Sequence, residues 1–142
     1  MNPHTLIFIK TNAVMDSKIC FNTNKVLRTT PVFPQAVIKG GLVFLSGTTG
    51  IITATGKFGE TFEEQALQTF ENVKTILEEA GSSMGNVLKT TIFMVAGCDS
   101  DFKIINKVYS QYFPVNPPVR SAPQVMPFPG GILISMECIA FV

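Results

Sequence analysis

The tightest limit on the fold comes from the end of the chain, Ile132 to Phe141. Side chains alternate along a strand, so Ile132, Ile134, Met136, Cys138 and Ala140 point one way and Leu133, Ser135, Glu137, Ile139 and Phe141 the other. Both sets are largely apolar, so both faces of this strand need cover. The rest of the chain predicts two helices, which can cover one face of a small sheet. The second face is therefore expected to meet another subunit, with Ser135 and Glu137 as polar positions inside that seam. Only 15% of the 142 residues are charged, against about 25% in ordinary soluble domains. Hiding part of the surface in an oligomer would make up that shortfall.

The helices follow from periodicity. Phe62, Ala66, Phe70, Val73, Ile76, Leu77 and Ala80 recur at helical spacing, while Glu63, Glu64, Gln68, Glu71, Lys74, Glu78 and Glu79 take the opposite face. Thr61 and Glu64 have the spacing of a capping box, and Gly81 marks the stop. A second helix is predicted from about Ser100 to Phe113, with Phe102, Ile105, Tyr109 and Tyr112 on its apolar side, Asp99 or Ser100 as cap and Pro114 as terminator. Residues 35–39 and 42–47 flank Gly40-Gly41, a hairpin turn. Val87 to Val95 is nearly continuous in apolar and β-branched residues, as in a strand covered on both faces. Residues 120–125 and 132–141 complete the strands, separated by the turn Pro127-Phe128-Pro129-Gly130-Gly131. These elements predict one α+β domain over residues 20–142, preceded by an N-terminal extension over 1–19.

Counting excludes several functions. Eleven Lys and Arg against ten Asp and Glu leave a formal charge of +1 and no basic stripe, which argues against a nucleic-acid partner. Cys20, Cys98 and Cys138 are odd in number, widely spaced and without a C-x-x-C pair, the usage of a reducing compartment with buried free thiols. His4 is the only histidine and lies in the extension, so a Ser-His-Asp triad, a Cys-His dyad or a histidine-rich zinc site is not expected. No apolar run approaches the ~18 residues of a membrane span, and Leu6 to Ile9 is too short for the core of a signal peptide. Residues 1–14 contain no Arg, unlike a mitochondrial transit peptide, and Met15 resembles an alternative start. The expectation is a soluble, cytoplasmic protein without a membrane partner.

Arg120 opens a strand after Asn116-Pro117-Pro118-Val119. Two prolines stiffen the backbone there, and a guanidinium on a rigid mount suits two-pronged capture of a carboxylate or phosphate. A salt bridge to one of the helix glutamates would satisfy the same residue. Ser46-Gly47 offers a hydroxyl and an unobstructed backbone at a strand end. Glu137 serves either chemistry or a structural pairing with a lysine or the backbone at the interface.

Together the segments resemble a known family. They are Phe33-Pro34-Gln35-Ala36, Gly41-Leu42-Val43-Phe44-Leu45-Ser46-Gly47, the helix Glu71 to Gly81, Val87-Leu88-Lys89-Thr90-Thr91-Ile92-Phe93, Asn106-Lys107-Val108-Tyr109, Asn116-Pro117-Pro118-Val119-Arg120-Ser121 and Glu137-Cys138-Ile139-Ala140. In this order, from about residue 20 to the end, the chain resembles the Rid family, also called the YjgF or liver perchloric-acid-soluble protein family. The resemblance implies a chorismate-mutase-like α+β fold, a homotrimer with a barrel-like core and ligand clefts between subunits. It implies hydrolysis of reactive 2-imino acids to 2-keto acids and ammonia without metal or organic cofactor. Arg120 then matches the arginine that pairs with the substrate carboxylate, Asn106 a cleft asparagine and Ser46-Gly47 the pocket lining, with main-chain groups around Phe93 and Ala122 completing the site.

The chain departs from the family at its catalytic positions. The deaminase glutamate falls on Ser135, and a second, usually structural glutamate falls on Glu137. The pocket tyrosine is Phe33, and a frequent pocket cysteine is Ala122. Losing a positioned acid/base lowers rates about 100-fold to 10,000-fold. The expectation is altered deaminase activity, with Arg120 anchoring a carboxylate, Ser135 holding a water and Glu137 as a substitute base. Non-catalytic binding of a small imino or keto acid is the alternative. The ribonuclease or translation-inhibitor role carried by family names is the weakest reading, because the charge is near neutral.

Overall fold

Residues 17–142 are described by the structure, a computed structural model. His4, residues 1–16 of the extension expected over 1–19 and the Met15 start lie outside the described residues. Strand β1 (Ile19–Phe21) pairs antiparallel with β2 (Ala36–Lys39), which turns into β3 (Leu42–Thr49). The turn residues Gly40 and Gly41 hold φ at 57° and 76°, backbone that a Cβ disfavours and a tight hairpin requires. A small hairpin of β4 (Ile51–Ile52) and β5 (Lys57–Phe58) follows. Neither it nor β1 was predicted, because alternation is not readable over two or three residues.

Helix α1 (Phe62–Glu79) starts at the predicted capping box. Thr61 Oγ1 accepts from the Glu64 N–H at 3.2 Å, and Glu64 Oε2 accepts from the Thr61 N–H at 3.0 Å. The N–H donors of Thr61 and Glu60 hold the Glu64 carboxyl below its usual range by favouring the charged form. Ala66, Phe70, Val73, Ile76 and Leu77 are buried, so the predicted apolar face is the one that meets the sheet.

Strand β6 (Val87–Val95) has the predicted bounds. Helix α2 (Lys103–Tyr112) starts later than residue 100, because Phe102 stands at φ 61° and cannot belong to a right-handed helix. Asp99, one of the two predicted caps, reaches past that break: its carboxylate accepts from the Ile104 N–H at 3.2 Å and the Ile105 N–H at 2.8 Å. The strand expected over 120–125 is two strands, β7 (Val119–Ser121) and β8 (Gln124–Val125), both parallel to β6. The break falls at Ala122-Pro123, where proline has no N–H to continue the ladder. Strand β9 (Ile134–Phe141) starts two residues after the predicted Ile132.

The sheet order is β1-β2-β3-β9-β6-β7, with β8 also on β6. β9 is therefore central, antiparallel to β3 and β6. Ile134, Met136, Cys138 and Ala140 are buried on the helix-covered side, at 4% exposure or less. The opposite face is open within one chain, leaving Phe44 and Phe141 41% and 43% exposed. The expectation that β6 is covered on both faces does not hold for the single chain: Leu88 and Lys89 are exposed, and Thr91 and Phe93 half-buried. Leu133, expected on the open face, precedes β9 and packs against the core, its N–H donating to Gln65 Oε1 at 2.9 Å. Among the described residues no helix is long and apolar enough to cross a membrane.

Side chains of α1 tie the loops that border the sheet. Gln65, buried, donates to the carbonyls of Gly59 and Gly131, each at 3.0 Å. Asn72 donates to the carbonyls of Thr49 and Ile51, each at 2.9 Å. Gly50 lies so close to this helix that an added Cβ would stand 2.4 Å from the Gln65 carbonyl oxygen. Gly50→Ala is expected to destabilise the fold by about 1–3 kcal/mol, the range for overpacking against backbone that cannot move aside. Urea unfolding compared with Gly85→Ala, where the nearest atom is a serine hydroxyl 3.7 Å away, checks this.

Candidate functional site

Register decides which predicted site residues can meet. Thr90 of β6 lies between Arg120 of β7 and Cys138 of β9. These three therefore share the helix-covered face, while Thr91, Ser121 and Glu137 in the next row share the open face. Ser135 pairs with Phe93 and Thr49 and lies on the same open face as Glu137. Ser135 and Glu137 are thus two residues apart on one face, roughly 7 Å, and Arg120 projects from the other.

Arg120 is held by α2. Its Nη2 donates to Asn106 Oδ1 at 2.9 Å, and its guanidinium carbon lies 4.9 Å from the centre of the Tyr109 ring. The ring face is electron-rich and attracts the cation. Tyr109 is itself fixed: its hydroxyl donates to the Pro118 carbonyl at 3.2 Å and lies 3.1 Å from Thr90 Oγ1. A phenol has one hydrogen, so Thr90 is the donor in the second bond. Burial raises the Tyr109 phenol above its ordinary range, partly offset by the Thr90 bond. Three of the helix glutamates, alternative partners for Arg120, are engaged elsewhere, and Glu64 closes the capping box. Glu63 meets Lys107 at 2.7 Å, Glu79 meets Lys25 at 2.5 Å, and Glu71 accepts from the Tyr112 hydroxyl at 2.5 Å.

A second group gathers around Ser46 and Gly47 of β3. Phe33, Ser46 and Gly47 line a cleft together with the loop from Val26 to Thr30. Ser46 Oγ donates to the Pro34 carbonyl at 2.7 Å, and its N–H donates to the Gln35 carbonyl at 2.9 Å. Its hydroxyl hydrogen is thereby committed, leaving lone pairs that can accept from a ligand. A Cβ at Gly47 would stand 3.0 Å from Ser135 Oγ, so the serine hydroxyl would have to give by a few tenths of an ångström. Glu137 lies apart, in a hollow on the open face with Lys89 and Thr91. Ala122, at the break after β7, is half-buried against the core.

The nine predicted residues thus fall into separate places on one chain: Arg120 with Asn106, Ala122 just beyond β7, Phe33, Ser46 and Gly47 with Ser135 and Phe93 beside them, and Glu137 in its own hollow. Sequence reasoning missed Tyr109, Asp99, Gln35 and Arg28 as parts of this architecture. Tyr109 and Gln35 stand inside matched segments, so a signal existed; Asp99 was noted only as a cap; Arg28 sits in a loop with no periodic signal. Among the described residues, no three His, Cys, Asp or Glu side chains converge as metal ligands.

This architecture has relatives. The family model described as Endoribonuclease L-PSP matches residues 23–142. The chain belongs to the L-PSP, or Rid, family. Reactive Intermediate Deaminase A, chloroplastic, of Arabidopsis thaliana is 44% identical over 109 residues, which cover 76% of this chain and 57% of the plant protein. The chain thus spans little more than half the length of that relative. The human 2-iminobutanoate/2-iminopropanoate deaminase is 35% identical over 109 residues, 76% of this chain and 78% of the human one. The crystal structure of E. coli TdcF with bound serine superposes with a TM-score of 0.80 at 32% identity, covering 87% of this chain and 98% of that one. The Rid resemblance and the α+β fold read from the sequence are borne out, and the family carries deaminase names.

Of the thiols in this Rid chain, Cys138 is buried, and burial with Glu137 nearby pushes it up to about 12. It is a core thiol and not a nucleophile. Cys20 is exposed on β1. Native protein treated with a thiol reagent at pH 8 should be modified at Cys20 and spared at Cys138, with Cys138 reacting only after denaturation; peptide mass mapping reads the difference. Because the raised value favours the protonated thiol in the folded state, this contribution to stability is present below the unfolded value near 9 and is lost as pH rises toward 12.

Proposed function

We propose that the chain forms a homotrimer and hydrolyses small 2-imino acids to 2-keto acids and ammonia in clefts between subunits. One observation carries this reading: residues matched to a single family site lie in separate groups on one chain, and the sheet has an uncovered apolar face. A site whose halves cannot meet within one protomer is completed when a second copy brings Arg120 and Asn106 to the Phe33, Ser46 and Gly47 cleft. The names of the plant and human relatives support the reaction class.

The chemistry is addition of water to the C=N carbon, protonation of nitrogen and loss of ammonia as the C=O bond forms. Arg120, with one N–H spent on Asn106, retains donors for the substrate carboxylate. Ser46 accepts from the imine N–H, since its own hydrogen is committed to Pro34. Ser135 holds the attacking water. Its hydroxyl is a weak base, so positioning carries most of the rate. Glu137 is the substitute base.

Non-catalytic binding of a small carboxylate is the second reading, favoured by Ser135 where the deaminases carry a glutamate. RNA cleavage gains nothing from the charge of +1.

The test couples purified protein to a threonine dehydratase generating 2-iminobutanoate and follows keto acid formation with semicarbazide as the imine trap. Acceleration over buffer is expected, and its absence beside an active deaminase control leaves the binding reading. Arg120→Ala should lower kcat/KM about 10- to 100-fold, the value of a charge-assisted anchor. Ser135→Glu should raise kcat about 100-fold or more by restoring an acid/base group. Light scattering reads the trimer, and a monomer at assay concentration would overturn the shared-cleft arrangement.

A further inference from the structure

We infer that Arg28 is a second cationic anchor in the cleft beside Ser46 and Gly47, and that the preferred ligands are dicarboxylic 2-imino or 2-oxo acids. The inference rests on the reading above that this cleft is the substrate site. Arg28 lines the cleft and also a shallow, open hollow beside it formed with Thr29, Thr30 and Pro31. Its Nη2 donates to the Phe33 carbonyl at 3.1 Å. The guanidinium is thereby tied to the residue that replaces the family's pocket tyrosine.

The loop carrying Arg28 is braced. Gln35 Oε1 accepts from the Thr23 N–H at 2.7 Å, and Gln35 Nε2 donates to the Val26 carbonyl at 2.8 Å. Val32 N–H donates to Thr30 Oγ1 at 3.2 Å, a local turn that sets the far side of the loop. No Asp or Glu lines the cleft, and among the described residues no carboxylate pairs with Arg28. A monocarboxylic imine needs one guanidinium, which Arg120 supplies. A second fixed cation, flanked by the hydroxyl-bearing Thr29 and Thr30, adds binding energy only to a ligand with a second acidic group at its far end.

Oxaloacetate and 2-oxobutanoate share chain length and differ in whether that end is a carboxylate or a methyl, so they isolate the contribution of Arg28. Titration calorimetry on the full chain should give oxaloacetate about 10-fold tighter binding. Arg28→Gln should bring the ratio of the two affinities to about one, and Arg28→Lys should leave it between. An equal affinity in the native protein, or a ratio that survives Arg28→Gln in a variant with unchanged melting temperature, overturns the inference. Turnover of 2-iminobutanoate without an oxaloacetate preference removes this inference and leaves the deaminase reading. Arg28-dependent oxaloacetate binding without turnover of any imine does the reverse. If neither acid binds and no imine is turned over, both fall.

Discussion

A strand with two apolar faces and neighbours on both edges organises the molecule. β9 is hydrogen-bonded to β3 on one side and β6 on the other, so its backbone demand is met within the sheet and its side chains decide what lies above and below. One set, from Ile134 to Ala140, is sealed by α1 and α2. The other, from Ser135 to Phe141, is left to the open face. Burying a large apolar side chain gains roughly 1.5–3 kcal/mol, a gain that Phe44 and Phe141, partly exposed on that face, do not fully realise within one chain.

The same alternation separates the chemistry. A shift of one residue along a strand changes the face, so Arg120 and Ser121 belong to different sides of the sheet although they are adjacent in sequence. Arg120 falls on the helix side, where α2 supplies Asn106 and the Tyr109 ring. That support is indirect as well as direct. Asp99 secures the start of α2 across the left-handed Phe102, and Tyr109 is locked by Thr90 and Pro118. Ser135 falls on the other side, against Gly47 and near the braced loop that carries Phe33 and Arg28. One chain therefore holds these two groups of residues on opposite faces of its sheet, each braced by its own hydrogen bonds.

Legibility followed the range of the interactions. The capping box of α1 acts between residues three apart, so Thr61 and Glu64 announce it, and β6 has a composition that few other elements tolerate. β1, β4 and β5 escaped because pairing partners, not their own short patterns, make them strands. The start of α2 moved because Phe102 reads as an apolar helix residue, while its backbone turns left-handed to let Asp99 reach the helix N–H groups. Leu133 was misplaced for a similar reason: its N–H bonds Gln65 on a distant helix, and β9 begins only at the next residue. For the candidate site, the matched segments named Arg120, Asn106, Ser46 and Gly47. The partner of Arg120 stayed open between a ligand carboxylate or phosphate and a helix glutamate, and the bond to Asn106 was not foreseen.

By itself the sequence determined both helices, the longer strands, the two-faced character of the last strand and the family. These depend on local periodicity, caps and side-chain chemistry. Only the tertiary structure decided that Arg120 rests on Asn106 and Tyr109, that Ser135 stands on the opposite face against Gly47, and that Arg28 is tied to Phe33 at the rim of the cleft. Those facts depend on strand register and loop path. Both are set by hydrogen bonds between residues far apart in the chain, whose pairing no local pattern specifies.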